Sequence, residues 1–136
     1  MLATLCAAAG AAAAIAGCGL NVQSPDLFTL SRTGQGKALT LLVNDSGTIR
    51  CDGGKTKSLP DALLLDARDL ADDLNKDAQS KLHIPPAGAD SVFRYRITLQ
   101  DGTVAFSDTA ARSHPELARA ELFAAQAAQG PCGLAG

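Results

Sequence analysis

Apolar and polar positions alternate with a period of two from Leu27 to Arg32, where Phe28 and Leu30 share one face. The same alternation returns from Ala38 to Val43, with Leu39, Leu41 and Val43 together, and Gly34 and Gly36 separate the two stretches. Asn44-Asp45-Ser46-Gly47 is a turn cluster, after which Thr48–Cys51 runs back with Ile49 and Cys51 on one side. Three strands in a meander follow from this pattern. The period then changes. Ser58 and Pro60 open a helix in which Leu63, Ala67, Leu70, Ala71 and Leu74 form a single apolar stripe. The stretch His83-Ile84-Pro85-Pro86-Ala87-Gly88 breaks it, because paired prolines cannot continue a helix.

Alternation resumes at Phe93, Tyr95, Ile97 and Leu99, interleaved with Arg94, Arg96, Thr98 and Gln100. Asp101-Gly102 supplies the two-residue turn of a hairpin, which places Leu99 opposite Val104 and Ile97 opposite Phe106. Ser113-His114-Pro115-Glu116 has the form of a capping box, and the helix behind it carries Leu117, Ala120, Phe123, Ala124 and Ala127 as its stripe. Gly130 and Pro131 end it. The predicted fold class is α+β. An antiparallel sheet of about five strands carries two helices on one face, in the order β-β-β-α-β-β-α, over a single domain at 27–136.

Charge marks off the start of the chain. The 12 Lys+Arg and 14 Asp+Glu residues all lie at Asp26 or beyond, and residues 1–17 are mostly Ala. An apolar run with a small-residue end is a secretory signal pattern, too poor in strongly apolar side chains for a membrane span. It closes on Ile15-Ala16-Gly17-Cys18, which resembles the lipobox of bacterial lipoproteins: an aliphatic residue, two small residues, then Cys. That resemblance implies a signal peptide at 1–17 and a diacylglyceryl group on Cys18. Residues 18–26 would then tether the domain to the outer face of the cell membrane. Two acyl chains suffice for stable anchoring. The departure from the pattern is that no Lys or Arg precedes the apolar run; a start upstream of Met1 would supply one. The Ala-rich composition is similar to that of small lipoproteins from high-GC Gram-positive bacteria.

With Cys6 leaving in the signal and Cys18 carrying lipid, Cys51 and Cys132 remain of the four cysteines. An even remainder in an oxidising compartment reads as one disulfide, Cys51–Cys132. A metal site would want close Cys or His partners, and none is present.

Composition narrows the function classes. A net charge of -2 leaves no electrostatic footprint for nucleic acid, and 4% aromatics without Trp leave no stacking platform. No G-x-S-x-G elbow occurs, and His83 and His114 have no suggestive neighbours, so no catalytic residue, metal or cofactor is assigned. Asp66, Asp69, Asp73 and Asp77 fall on one helix face. They read as a solvated face with Arg68–Asp72 and Asp72–Lys76 pairs, a calcium stripe or a contact for a basic partner being the alternative. Asp52-Gly53-Gly54-Lys55 is a strand-ending turn; it lacks the spacing of a phosphate loop. Arg94 and Arg96 project from the sheet face opposite Tyr95 and Ile97. If no helix covers that face it is a positively charged surface suited to an acidic partner, with solvated arginines as the default reading.

The succession Phe28-Thr29-Leu30-Ser31-Arg32-Thr33-Gly34, a Leu-rich strand, a helix, Phe93-Arg94-Tyr95-Arg96-Ile97 and then Ser107-Asp108 before the last helix resembles the emfourin-type family of small protein inhibitors of thermolysin-like metalloproteases. The likeness covers residues 27–125. It implies an α+β inhibitor-like fold and a protease as partner; apart from the resemblance, edge strands and short loops such as Thr33–Lys37 suit entry into a protease cleft. The chain departs from that family in its lipid anchor, its disulfide and the absence of a Gly directly after Gly34, and no inhibitory residue is carried over. The expectation is therefore a lipid-anchored, non-enzymatic protein-binding module. The alternative is a structural or envelope-associated lipoprotein without a small ligand.

Overall fold

The first strand, β1 (Asp26–Gly34), turns into β2 (Lys37–Asn44) through Gln35 and Gly36, whose φ values of +52° and +70° are those of a tight hairpin turn. A computed structural model describes residues 25–134; the expected signal segment 1–17, the expected lipid site Cys18 and the expected tether up to Ser24 lie outside the described residues. The chain continues through β3 (Thr48–Cys51), β4 (Thr56–Ser58), the long helix α1 (Asp61–Ser80), β5 (Arg94–Leu99), β6 (Gly102–Ser107), the single turn α2 (Asp108–Ala111) and α3 (Pro115–Gln129). The class is α+β: a six-stranded antiparallel sheet in the order β4-β3-β2-β1-β5-β6, with two main helices packed against it.

Alternation decides which side of the sheet meets the helices. Phe28 and Leu30 of β1 lie opposite Val43 and Leu41 of β2, and Leu30 lies opposite Ile97 of β5. These side chains are almost wholly buried, together with Leu39, Ile49, Tyr95 and Phe106. From above, α1 contributes Ala67, Leu70, Ala71 and Leu74. Helix α3 adds Leu117, Ala120, Phe123, Ala124, Ala127 and Ala128. The many alanines bring the helices close to the sheet, and Phe123 fills the gap by meeting Phe28 edge-on at 5.5 Å.

Four sequence expectations differ from the structure, each for a tertiary reason. A sixth strand exists, because β4 is three exposed polar residues with no apolar alternation to reveal it. Ser58 therefore closes a strand opposite Thr48, and α1 starts at Asp61 behind Pro60. In the last hairpin Leu99 pairs with Gly102 and Ile97 with Val104, so the loop is Gln100–Asp101 and the register lies two residues from the expected one. A two-residue slip keeps every side chain on its own face, so apolar pairing alone could not select between the registers. Helix α1 selects: Asn75 Oδ1 accepts from the Asp101 N–H at 3.1 Å, and Gln79 donates to the Asp101 carboxylate at 2.7 Å.

The capping box does not form. His114 is the N-cap of α3, without a side-chain capping bond. The N–H groups of Ser113 and His114 instead bond back to Ala110 and Ala111 of α2. A turn of helix thus occupies the residues just before α3, and Pro115 sets its start.

The disulfide Cys51–Cys132 joins the end of β3 to the segment after α3, with Cα atoms 5.8 Å apart, inside the span such bonds require. Cys132 is buried, and Lys57 donates to its carbonyl at 3.4 Å.

Candidate functional site

Both helices lie on one side, so the other side of the sheet is open. Its residues are those that alternate with the core: Thr29, Ser31 and Thr33 on β1, Thr40 on β2, Arg94, Arg96 and Thr98 on β5, and Thr103 and Ala105 on β6. Most are exposed. Arg94 and Arg96 stand two residues apart on β5, hence on the same face and about 7 Å apart along the strand. The five ion pairs found among the described residues involve Arg68, Lys76, Arg112, His114 and Arg119, and neither β5 arginine takes part.

The connection between α1 and β5 raises a wall beside these arginines. Lys81 in the left-handed conformation ends α1, and the Leu82 N–H bonds to the Asp77 carbonyl at 3.0 Å. Ile84, Pro85, Pro86 and Ala87 then flank a groove of about 440 Å³ floored by the strands, with Ser31, Thr33, Arg94 and Arg96 among its lining residues. No carboxylate lines it.

The far end of the wall is clamped by Asp108. Its carboxylate accepts from Ser91 Oγ at 2.7 Å, from the N–H groups of Val92 and Phe93, and from its neighbour Thr109 N–H at 2.9 Å. Burial pushes this carboxyl upward, but the Ser91 hydroxyl and the three backbone donors outweigh it and hold the pKa below the usual carboxylate value. Thr109 Oγ1 accepts from the Gly88 N–H at 2.9 Å, and Asp90 pairs with Arg112 at 3.1 Å.

The remaining candidates are scattered. Of the α1 aspartates, Asp73 meets Arg119 of α3 and, at 3.7 Å, Lys76. Asp66 and Asp69 border a shallow cleft of about 180 Å³ between α1 and α3. Asp77 is half-buried, and burial together with the facing Glu116 carboxylate pushes its pKa up to about 6, with His114 opposing and Asp73 assisting. The expected Arg68–Asp72 and Asp72–Lys76 pairs are not the ones formed. Arg68 reaches instead across the fold to Asp45 in the β2–β3 turn at 2.7 Å, because that carboxylate lies within reach of a side chain on the neighbouring layer.

No cluster of three or more metal-ligating side chains occurs among the described residues. His83 is exposed in the α1–β5 connection, whereas His114 faces Glu116 at 3.8 Å. Asp52 and Gly53 form the β3–β4 turn, with Asp52 accepting from the Thr40 N–H at 2.8 Å. No helix of the described residues is long and apolar enough to cross a membrane.

Arg94 and Arg96 were legible in the sequence as a positive pair. The wall and its Asp108 clamp were not, since Asp108 meets Ser91, Val92 and Phe93 only through the tertiary fold. A comparison with known protein families finds no match, and neither a curated protein nor a solved structure matches the chain.

Proposed function

We propose that this chain is a lipid-anchored extracytoplasmic domain that binds another protein and performs no chemistry of its own. The observation that carries the reading is the one-sided sheet. Helices cover one face, while the opposite face presents arginines and hydroxyl side chains on a rigid antiparallel frame. The Cys51–Cys132 bond supports the compartment, since such bonds persist where conditions oxidise. The anchor itself rests on the Ile15–Cys18 pattern.

The test has two parts. Intact mass of the membrane-extracted protein is expected to show a chain starting at Cys18, with a diacylglyceryl increment and two hydrogens fewer than the reduced form. Cross-linking on intact cells is expected to recover one stoichiometric protein partner. A soluble chain that keeps Met1 and free thiols refutes the address, and recovery of no partner refutes the protein-binding reading.

A narrower version, inhibition of a thermolysin-like protease, is favoured by the exposed tip Gln35-Gly36 of the β1–β2 hairpin. It requires that micromolar protein slow such a protease, and failure to do so removes it.

A further inference from the structure

We infer that the groove between the β5 arginines and the Ile84–Ala87 wall holds an extended acidic segment of the partner protein, with carboxylates at alternate positions. The inference rests on the protein-binding reading and names the surface and the chemistry.

Three observations carry it. The first is spacing. Arg94 and Arg96 point from one face of a strand, and an extended peptide repeats its own side chains every two residues over the same distance of about 7 Å. A segment of the form acid-x-acid running alongside β5 brings one carboxylate to each guanidinium. Arginine is the side chain suited to this task, because its planar fork meets a carboxylate through two parallel hydrogen bonds.

The second is charge. Neither arginine has an acidic partner among the described ion pairs, and no carboxylate lines the groove. The exposed aspartates Asp61, Asp66, Asp69 and Asp72 belong to α1, in the layer on the other side of the sheet. An acidic segment is therefore repelled from the helical side and admitted at the sheet side, despite the negative net charge.

The third is preorganisation. Pro85 and Pro86 stiffen the wall, and hydrogen bonds at Leu82, Gly88 and the Asp108 clamp fix both of its ends. A peptide can thus dock without ordering the loop first, and its intervening side chains pack on Ile84 and the proline rings. A lipid surface fits less well. Among the described residues the large exposed apolar side chains are Leu65, Val92, Leu122 and Leu134, and none of them borders this groove.

The full chain in detergent is titrated against a fluorescein-labelled twelve-residue peptide of alternating Glu and Thr, read by anisotropy. Controls are the same residues arranged as repeats of Glu-Glu-Thr-Thr, in which no two acids stand two positions apart, alternating Lys and Thr, and vesicles of phosphatidylglycerol. The alternating acidic peptide is expected to bind at least tenfold more tightly than either control peptide and to weaken with salt. R94E/R96E is expected to abolish this binding, and R94K/R96K to weaken it several-fold because the charge stays but the fork is lost. Circular dichroism verifies that both variants keep the fold.

Equal binding by wild type and R94E/R96E overturns the inference, as does absence of binding to the alternating peptide. Arginine-dependent binding of the vesicles but not the peptide overturns it in favour of a lipid headgroup. If the partner cross-linked on cells is retained by R94E/R96E, the inference fails while the protein-binding reading stands. If neither form captures a partner, that reading fails instead.

Discussion

Reducing the Cys51–Cys132 bond is the sharpest test of what holds the domain together. The bond spans 81 residues and encloses every element from β4 to α3, leaving β1, β2 and all of β3 but Cys51 outside the covalent loop. Tying chain positions that far apart removes conformational freedom mainly from the unfolded state. The loop-closure relation gives a stabilisation of about 4.5 kcal/mol for this length. A domain of this size has a total stability of only about 5–15 kcal/mol, so the reduced form is expected to be marginal.

Urea unfolding of the oxidised protein, the reduced protein and the C51A/C132A variant measures the difference. Far-UV circular dichroism follows the helices. Fluorescence of Tyr95, the only Tyr in a chain without Trp, follows the core side of β5. The expected result is a fall of about 4.5 kcal/mol on reduction, with a steeper denaturant dependence because the uncrosslinked unfolded chain exposes more surface. The double variant should fall slightly further, since Cys132 is buried and its sulfur is also lost from packing. A loss below about 1 kcal/mol would refute the loop-entropy argument. It would mean that β3 and the segment after α3 are held together equally well in the unfolded chain.

Three other outcomes follow from local geometry. Gly34 has φ +152°, and a Cβ there would lie 2.2 Å from the Val92 carbonyl oxygen, so G34A is expected to cost more than about 2 kcal/mol. Gly36 has a positive φ but open space around it, so G36A should cost about 1 kcal/mol in the same urea titration; equal losses would refute the clash. Asp77, raised from 3.8 to about 6, holds its proton more tightly in the folded state than in the unfolded chain. Stability should therefore fall as pH rises from about 4 to about 7, by on the order of 1 kcal/mol after solvent screening. D77N should remove that slope and gain stability at pH 7.5 but not at pH 4, and an unchanged slope would exclude Asp77 as its source. Asp108 has the opposite sign, its pKa being held low in the folded state. It stabilises at neutral pH and loses that contribution as pH falls below the carboxylate range. D108A should cost about 2–3 kcal/mol and increase amide exchange at Val92 and Phe93, and unaltered exchange there would remove the clamp.

Periodicity made the class of this fold readable from the sequence, because a residue's place inside or outside is a local property of a strand or helix. Phe28, Leu30, Leu41 and Ile97 on the sheet, and Leu70, Leu74, Leu117 and Phe123 on the helices, all lie in the core that their spacing implies. The disulfide was reached by counting cysteines. Nothing local, however, distinguishes two hairpin registers that differ by two residues, since both keep Ile97 and Val104 facing inward. That choice belonged to Asn75 and Gln79 on α1. β4 carries no apolar side chain, so only its pairing with β3 makes it a strand. The groove lies beyond any pattern in the chain for the same reason. Arg94 and Arg96 are neighbours in sequence, but the wall that faces them is held at Gly88 by Thr109, and the segment that follows it by Asp108, both 12 or more residues away from either arginine. Alternation states which side chains are buried; what stands opposite the exposed ones is decided only when distant segments meet.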